Sequence, residues 1–471
     1  MSTPLSDLRS PVQPGPLTGP RSLPAIWRDH AGRNLPRYTS YPTAAGFQPV
    51  ADDRIAHEWL GQVQPSQTLS AYVHVPFCRR LCWYCGCHTT VVHDYERVGA
   101  FNAVLGDEID LWQRATPAHA GLAHLHFGGG SPNALDPEAF IALVHRLSAA
   151  FGLRPGSEVA AELDPGQLSD AFIDAAGRAG VTRASLGVQT FDPDVQRRVN
   201  RVQPFDQVAA VTARLRSAGI GAVNFDMMYG LPGQTADSVA DSMRACLSLD
   251  PDRVAVFGYA HVPWMKRHQV MIRDADLPDI EARWAQAEAA DEVLLSAGYV
   301  RLGLDHYARP GDPLADAAAS GRLRRNFQGY TDDPAPVLIP IGPSSIGRLA
   351  GGFVQNAPAT DVWSRAIRDG RLPTARALGL TPDDALRAEV IERLMCDLGV
   401  DVGAICVRHG FGVAWLDEAI GAARSLEGDG LCRVTGRQVT VSPDAHRMMR
   451  VVASCFDAHL PGNAARHAKA V

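Results

Sequence analysis

The stretch AYVHVPFCRRLCWYCGCHTT, residues 71–90, runs an apolar, β-branched segment into a loop that carries Cys78, Cys82, Cys85 and Cys87. The first five residues read as a strand that ends at Pro76. The whole chain of 471 residues has nine cysteines, and the other five are scattered from Cys246 onward. Four thiols crowded at the end of one strand demand a chemical reason.

The strand is one of a series. Short apolar runs recur at 124–128 (HLHFG), 159–163 (VAAEL), 184–188 (ASLGV), 222–226 (AVNFD) and 254–259 (VAVFGY). Amphipathic stretches at 101–115, 137–151 and 205–219 lie between them. Six such alternations predict parallel strands joined by right-handed crossovers, an α/β partial (β/α)6-type barrel rather than a sandwich. The runs YVRLGLD (299–305) and VLIPIG (337–342) are candidates to extend the sheet. Beyond about Asn356 the rhythm turns helical, with a strongly amphipathic stretch at 382–399. A helix, a hairpin turning near Gly436-Arg437 and a further helix follow, which is a winged-helix-like order. That order fits either DNA binding or an accessory domain packed on the barrel. No clustered basic face is present, so the accessory reading is preferred and no nucleic-acid partner is expected.

The expected boundaries are a Pro-rich disordered tail over 1–34, a segment covering the site over 35–68, the barrel over 69–356, and a C-terminal domain over 357–471. Net charge is −6 and the sequence pI about 6.2, which argues against a general binder of nucleic acid or anionic membrane. No apolar run reaches the length of a membrane span, and no basic-then-apolar leader opens the chain. A cytoplasmic monomer is expected.

In such a compartment clustered thiols favour a metal site or redox chemistry over structural disulfides. A structural zinc would ask for two separated pairs of ligands, which this compressed spacing lacks. An iron–sulfur cluster fits better, because several irons close together accept thiolates from one tight loop. Further residues stand at strand ends. Gly128, Gly129 and Gly130 in HFGGGSPN allow a close backbone approach, or simply a tight turn. Glu162 and Asp226 place carboxylates on otherwise apolar runs, either as solvated strand ends or as acceptors for ligand hydroxyls. Gln189 ends LGVQTF, and Arg201 in VNR offers a bidentate fork. His74 follows Tyr72 by two positions and shares its side of the strand. It reads equally as a core histidine or as an active group.

The C-X3-C-X-aromatic-C spacing, with Tyr84 at the aromatic position, resembles that of the radical S-adenosylmethionine superfamily. PRYTSYPTA (36–44), YVHVPFC, CGC, HFGGGSPN, ELDP, SLGVQTF, VNR, DMMYGLPGQT, YAHVP and RNFQGYT extend the resemblance, in order, to the oxygen-independent coproporphyrinogen III oxidases. The resemblance implies a [4Fe–4S] cluster on Cys78, Cys82 and Cys85, with Cys87 either a packing residue or a redox group. It implies S-adenosylmethionine held by Tyr72, Gly129, Glu162 and Ile346. A second S-adenosylmethionine site would be lined by Tyr84, Gly130, Ser131, Gln189, Arg201, Asp226 and Ala260. His74 and Gln328 fall at positions tied to activity, and Arg37 and Tyr38 at a cover over the substrate. The implied reaction converts two propionates of coproporphyrinogen III to vinyl groups in haem biosynthesis, with a separate electron donor for the cluster. A haem chaperone sharing the barrel is the alternative. PRYTSYPTA and NFQGY favour the oxidase.

Overall fold

An inward-facing apolar series in each run explains why the six become strands of one sheet. Val73, Leu125, Phe127, Ala161, Leu186, Val223 and Phe225 are almost fully buried. The residues between them, such as His126, Glu162, Ser185 and Asp226, turn to the opposite face. In the computed structural model, which describes residues 22–460, 469 and 470, these strands are β1 (Leu69–Val75), β2 (Leu122–Gly129), β3 (Leu153–Leu163), β4 (Arg183–Gln189), β5 (Ala222–Tyr229) and β6 (Arg253–Gly258). Each is parallel to the next. The crossovers include α1 (Tyr95–Ala115), α2 (Pro137–Phe151), α3 (Asp170–Arg178), α4 (Phe205–Ser217) and α5 (Ala236–Ser248), and α6 (Ile280–Ser296) follows β6. Several start on side-chain caps: Asp94 on α1, Asp136 on α2, Ser169 on α3 and a Thr235–Ser238 capping box on α5.

Both candidate extensions join the sheet, in different ways. The 299–305 run supplies β7 (Val300–Leu302), which turns back into β8 (His306–Ala308), and β8 pairs antiparallel with β6. The 337–342 run supplies β9 (Val337–Ile341), parallel to β1 on its other side. Antiparallel β10 (Ile346–Leu349), β11 (Gly352–Asn356) and β12 (Thr374–Gly379) follow, and Gln48–Pro49 completes a thirteen-stranded sheet. The sheet therefore continues past Asn356, where the barrel was expected to end, as far as Gly379. The cause is a hairpin-type return that keeps pairing while a helix, α7 (Thr360–Arg368), intervenes.

The C-terminal module has the winged-helix order. Helices α8 (Pro382–Asp397), α9 (Val402–Arg408) and α10 (Asp417–Arg424) surround a three-stranded sheet. Its strands are β13 (Gly399–Asp401), β14 (Cys432–Thr435) and β15 (Gln438–Val441), with Gly436 at φ +62° in the wing turn. Its core also takes in Leu23, Trp27, Ala31, Leu35, Tyr38 and Tyr41. This corrects the expected tail. Residues 1–21 lie outside the described residues, but 25–31 form short helical turns that bury Trp27 and Ala31. No helix among the described residues is long and apolar enough to cross a membrane.

Candidate active site

All six barrel strands point their C-terminal ends to one mouth, where parallel α/β sheets gather ligand-binding loops. The cysteine loop leaves β1 there and is fastened from two sides. Residues 199–202 take one side: Val199 accepts from the Trp83 N–H at 3.0 Å, Asn200 Nδ2 donates to the Leu81 carbonyl at 2.9 Å, and Val202 accepts from Arg80 at 3.0 Å. The 266–269 turn takes the other. Lys266 Nζ donates to the Cys87 carbonyl, His268 Nε2 to that of Cys85 and Gln269 Nε2 to that of Tyr84, at 2.8–2.9 Å.

Three of the four thiols receive a polar donor at sulfur. Thr89 Oγ1 donates to Cys78 Sγ at 3.0 Å, Arg201 Nη1 to Cys82 Sγ at 3.3 Å, and the Cys87 N–H to Cys85 Sγ at 3.4 Å. The Cys87 thiol also donates to Cys85 and, as the largest of several causes, brings it down to about 6. Burial pushes the Cys78 thiol up to about 11. Among the described residues no three His, Cys, Asp or Glu side chains converge as they would around a single ion. A cubane cluster needs no such convergence, since each iron takes one thiolate, and donors aimed at the sulfurs suit it. The donor set fits a cluster on Cys78, Cys82 and Cys85.

The glycine stretch lies against this loop. Gly129 has φ +107°, and a Cβ there would fall 2.5 Å from the His74 ring. Only glycine allows that approach. The Gly130 N–H donates to the Val75 carbonyl and the Ser131 N–H to that of Phe77, which seals β2 to the start of the cysteine loop. Ser131 Oγ, paired with Asn133, also accepts from the Asp164 N–H.

Inside the mouth, Tyr72 and His74 do share one side, with Tyr72 Oη 3.3 Å from His74 Nδ1. His74 Nε2 donates to the His88 carbonyl at 2.9 Å, and burial lowers this histidine to about 4. It is neutral at pH 7. Glu162 accepts from His126 Nε2 at 2.8 Å and from the Gly129 N–H at 3.4 Å. Its carboxyl is lowered: burial works the other way, but His126 and the Gly129 amide outweigh it. Asp226 accepts from Ser185 Oγ at 3.2 Å through both oxygens, and burial followed by the Glu162 charge pushes it up to about 7. Arg201 joins Cys82 to Asp164 (3.2 Å) and to the Gly187 carbonyl (3.1 Å). Gln189 ends β4 at φ +71°, beside Gly187.

Ile346 begins β10 next to Ser345, whose hydroxyl donates to the Tyr72 carbonyl at 3.4 Å. Ala260 follows β6 and accepts from the same Gln269 amide that holds Tyr84. Gln328 lies apart, in the turn of the Arg324–Thr331 hairpin, where its N–H caps onto Asn326 and the adjacent Gly329 abuts His306. Four residues at the mouth escape sequence reasoning. His126 and Asp164 had a signal, the first through its alternation with His124 and the second as the Asp of ELDP. Lys266 and His268 had none.

A parallel barrel with three donor-supported thiols and a glycine cradle at its mouth defines a radical S-adenosylmethionine protein, and the family model described as "Radical SAM superfamily" matches residues 72–246. Its cofactors are a [4Fe–4S] cluster and S-adenosylmethionine. The relatives narrow the class. The chain is 47% identical to the oxygen-independent coproporphyrinogen III oxidase of Bradyrhizobium diazoefficiens, over 93% of this chain and 97% of that one. It is 41% identical to that of Paracoccus denitrificans, over 90% and 94%. The solved coproporphyrinogen III oxidase of Escherichia coli, described as a radical SAM enzyme, superposes with a TM-score of 0.86 at 32% identity, covering 91% of this chain and all of that one. The chain belongs to the oxygen-independent coproporphyrinogen III oxidase family.

Proposed function

We propose that this protein oxidatively decarboxylates two propionate side chains of coproporphyrinogen III to vinyl groups without oxygen, giving protoporphyrinogen IX. The observation that carries the reading is the meeting, at one strand mouth, of three donor-supported thiols with Gly129, Glu162 and Asp226 in a chain of this family. When bound, the cluster and S-adenosylmethionine supply a carbon radical able to take a hydrogen atom from the substrate. The chain's own residues bind, orient and exclude water.

Cys78, Cys82 and Cys85 would hold the cluster. The Gly129 strand end and the ionised Glu162 suit the cationic, hydroxyl-bearing cofactor, with Tyr72 and Ile346 beside them. Tyr84, Gly130, Ser131, Gln189, Arg201, Asp226 and Ala260 would surround a second molecule of it. Neutral His74 orders Tyr72 and the backbone at His88. Gln328 would act from the hairpin side. The cluster's electron donor is a separate partner.

An anaerobic assay with reconstituted protein, reductant, S-adenosylmethionine and coproporphyrinogen III tests the reading. Vinyl product and 5′-deoxyadenosine are expected together. Cofactor cleavage without vinyl formation overturns it. Cys78→Ser, Cys82→Ser and Cys85→Ser should each lose iron and sulfide, whereas Cys87→Ser should keep both.

A further inference from the structure

Beside the mouth, a cavity of about 590 Å³ opens between the end of β6, the 34–37 segment and the C-terminal module. That volume lies within the range of small-molecule sites. Guanidinium groups from three parts of the chain line it: Arg37, Arg283, and the pair Arg447 and Arg450. Arg447 is committed to Glu288 at 2.7 Å and Asp291 at 3.5 Å. Arg283 lies over the Tyr229 ring, 5.5 Å from its centroid.

Arg37 and Arg450 differ from these. Arg37 donates from Nη2 to the Gly258 carbonyl at 2.7 Å. Arg450 is 5% exposed and, among the described residues, donates only to the carbonyls of Leu35, Lys469 and Ala470, with its Nε unpartnered. Neither has a carboxylate partner among the described residues. The acids on the cavity wall make their close contacts with other groups, and only the charge of Asp305 reaches Arg37 and Arg450. Asp305 is held by His306 at 2.8 Å and Arg325 at 3.8 Å, Asp274 by His261 at 2.9 Å, and Asp279 caps the helix that starts at Ile280. Burial, and then the charge of Arg37, draws Arg450 down to about 10, against the smaller pull of Tyr229 and Asp305.

Two guanidinium groups that face one cavity and have no ion-pair partner among the described residues suit an anion, and a planar fork matches a carboxylate. We propose that Arg37 and Arg450 form a subsite for a propionate carboxylate of the porphyrinogen substrate, fixing how the ring sits at the mouth. This rests on the reaction proposed above, whose substrate carries such groups. The place is suitable: Ala260 lines the cavity, and Gln269 joins its carbonyl to that of Tyr84 in the cysteine loop.

The probe is coproporphyrin III, the oxidised tetracarboxylate, titrated by fluorescence into the full-length protein, with coproporphyrinogen III turnover measured in parallel. Arg37→Gln should weaken porphyrin binding by about tenfold or more and raise KM, and Arg37→Lys should fall between it and wild type. Arg450→Gln should act in the same direction. If it fails to fold, Arg37→Gln decides, because that side chain is only half-buried. Variants that bind and turn over like wild type, in an enzyme that does form vinyl groups, overturn the subsite and leave the reaction standing. Wild-type protein that binds coproporphyrin III through Arg37 but forms no vinyl product overturns the reaction and leaves a carboxylate subsite.

Discussion

Asp226 carries opposed consequences for stability and for activity. Its ordinary value is 3.8, and burial with the Glu162 charge lifts it to about 7 in the folded protein. Between those values the folded state keeps a proton that the unfolded chain has released, so stability falls as pH rises through that window. Asp226→Asn removes the penalty. The variant should be more stable than wild type at about pH 8, by on the order of a few kcal/mol, with the gap closing towards about pH 4. Urea unfolding of the metal-free protein across that range measures it. The same variant should load iron normally yet lose turnover of coproporphyrinogen III, most visibly at low S-adenosylmethionine. A variant less stable than wild type at pH 8 would make Asp226 a structural carboxylate. That Asp226 and Glu162 stand at the strand mouth was legible, because charged residues interrupt apolar strand runs, and Arg201 was legible from the loop VNR. Their partners Ser185 and Asp164 were less so, since cross-strand register decides which neighbours meet.

At the scale of elements, the turn after β9 shows how the sheet positions the site. Glu108, on α1, is fully buried. Its Oε2 accepts from the Gly342 N–H at 2.7 Å and Trp363 Nε1 at 3.0 Å. Its Oε1 accepts from Asn356 Nδ2 at 2.8 Å and Trp112 Nε1 at 3.3 Å. One carboxylate thus ties α1, the β9–β10 turn, the end of β11 and α7 together, next to Tyr72 and Ile346. Glu108→Gln turns an amide N–H2 towards donors that need an acceptor. Stability should drop by about 1–3 kcal/mol, seen as a lower Tm, with iron loading of the folded fraction unchanged. Retention of the full Tm would mean that the turn holds without this anchor. The six parallel strands were readable from apolar runs separated by amphipathic stretches. The Glu108 junction was not, because its members are up to 255 positions apart and no local period links them. The antiparallel return through β10, β11 and β12 was hidden for a similar reason: short strands in a hairpin series resemble loops when read singly.

Across the whole molecule, the C-terminal module and the segment before the barrel share one core, and Trp284 on the barrel helix Ile280–Ser296 belongs to it. Trp27 packs 5.8 Å from Trp284 and donates to the Asp429 carbonyl at 2.7 Å. A few apolar residues behind a run of prolines look like a tail until that distant partner is known, which is why the sequence alone misplaced them. A second seam is ionic. Asp291, on the same barrel helix, accepts from Arg301 Nε at 2.9 Å and Tyr307 Oη at 2.7 Å, and meets Arg447 of the C-terminal module at 3.5 Å. Burial alone would raise its carboxyl, but Arg447, His446 and Arg301 hold it well below the usual range. A depressed folded value stabilises the protein above the unfolded value, about 3.9, and that contribution is lost as pH falls towards the folded one. Asp291→Asn leaves the buried Arg447 and the half-buried Arg301 short of an anion and should cost about 3 kcal/mol near neutral pH. Its stability should also decline less steeply than that of wild type below about pH 4, because the titrating group is gone. Thermal unfolding at pH 7 and at pH 4 measures both effects. Equal Tm values for variant and wild type at pH 7 would show that the module is held by its apolar core alone, and that the ionic seam beside the Arg37–Arg450 cavity adds nothing to its attachment.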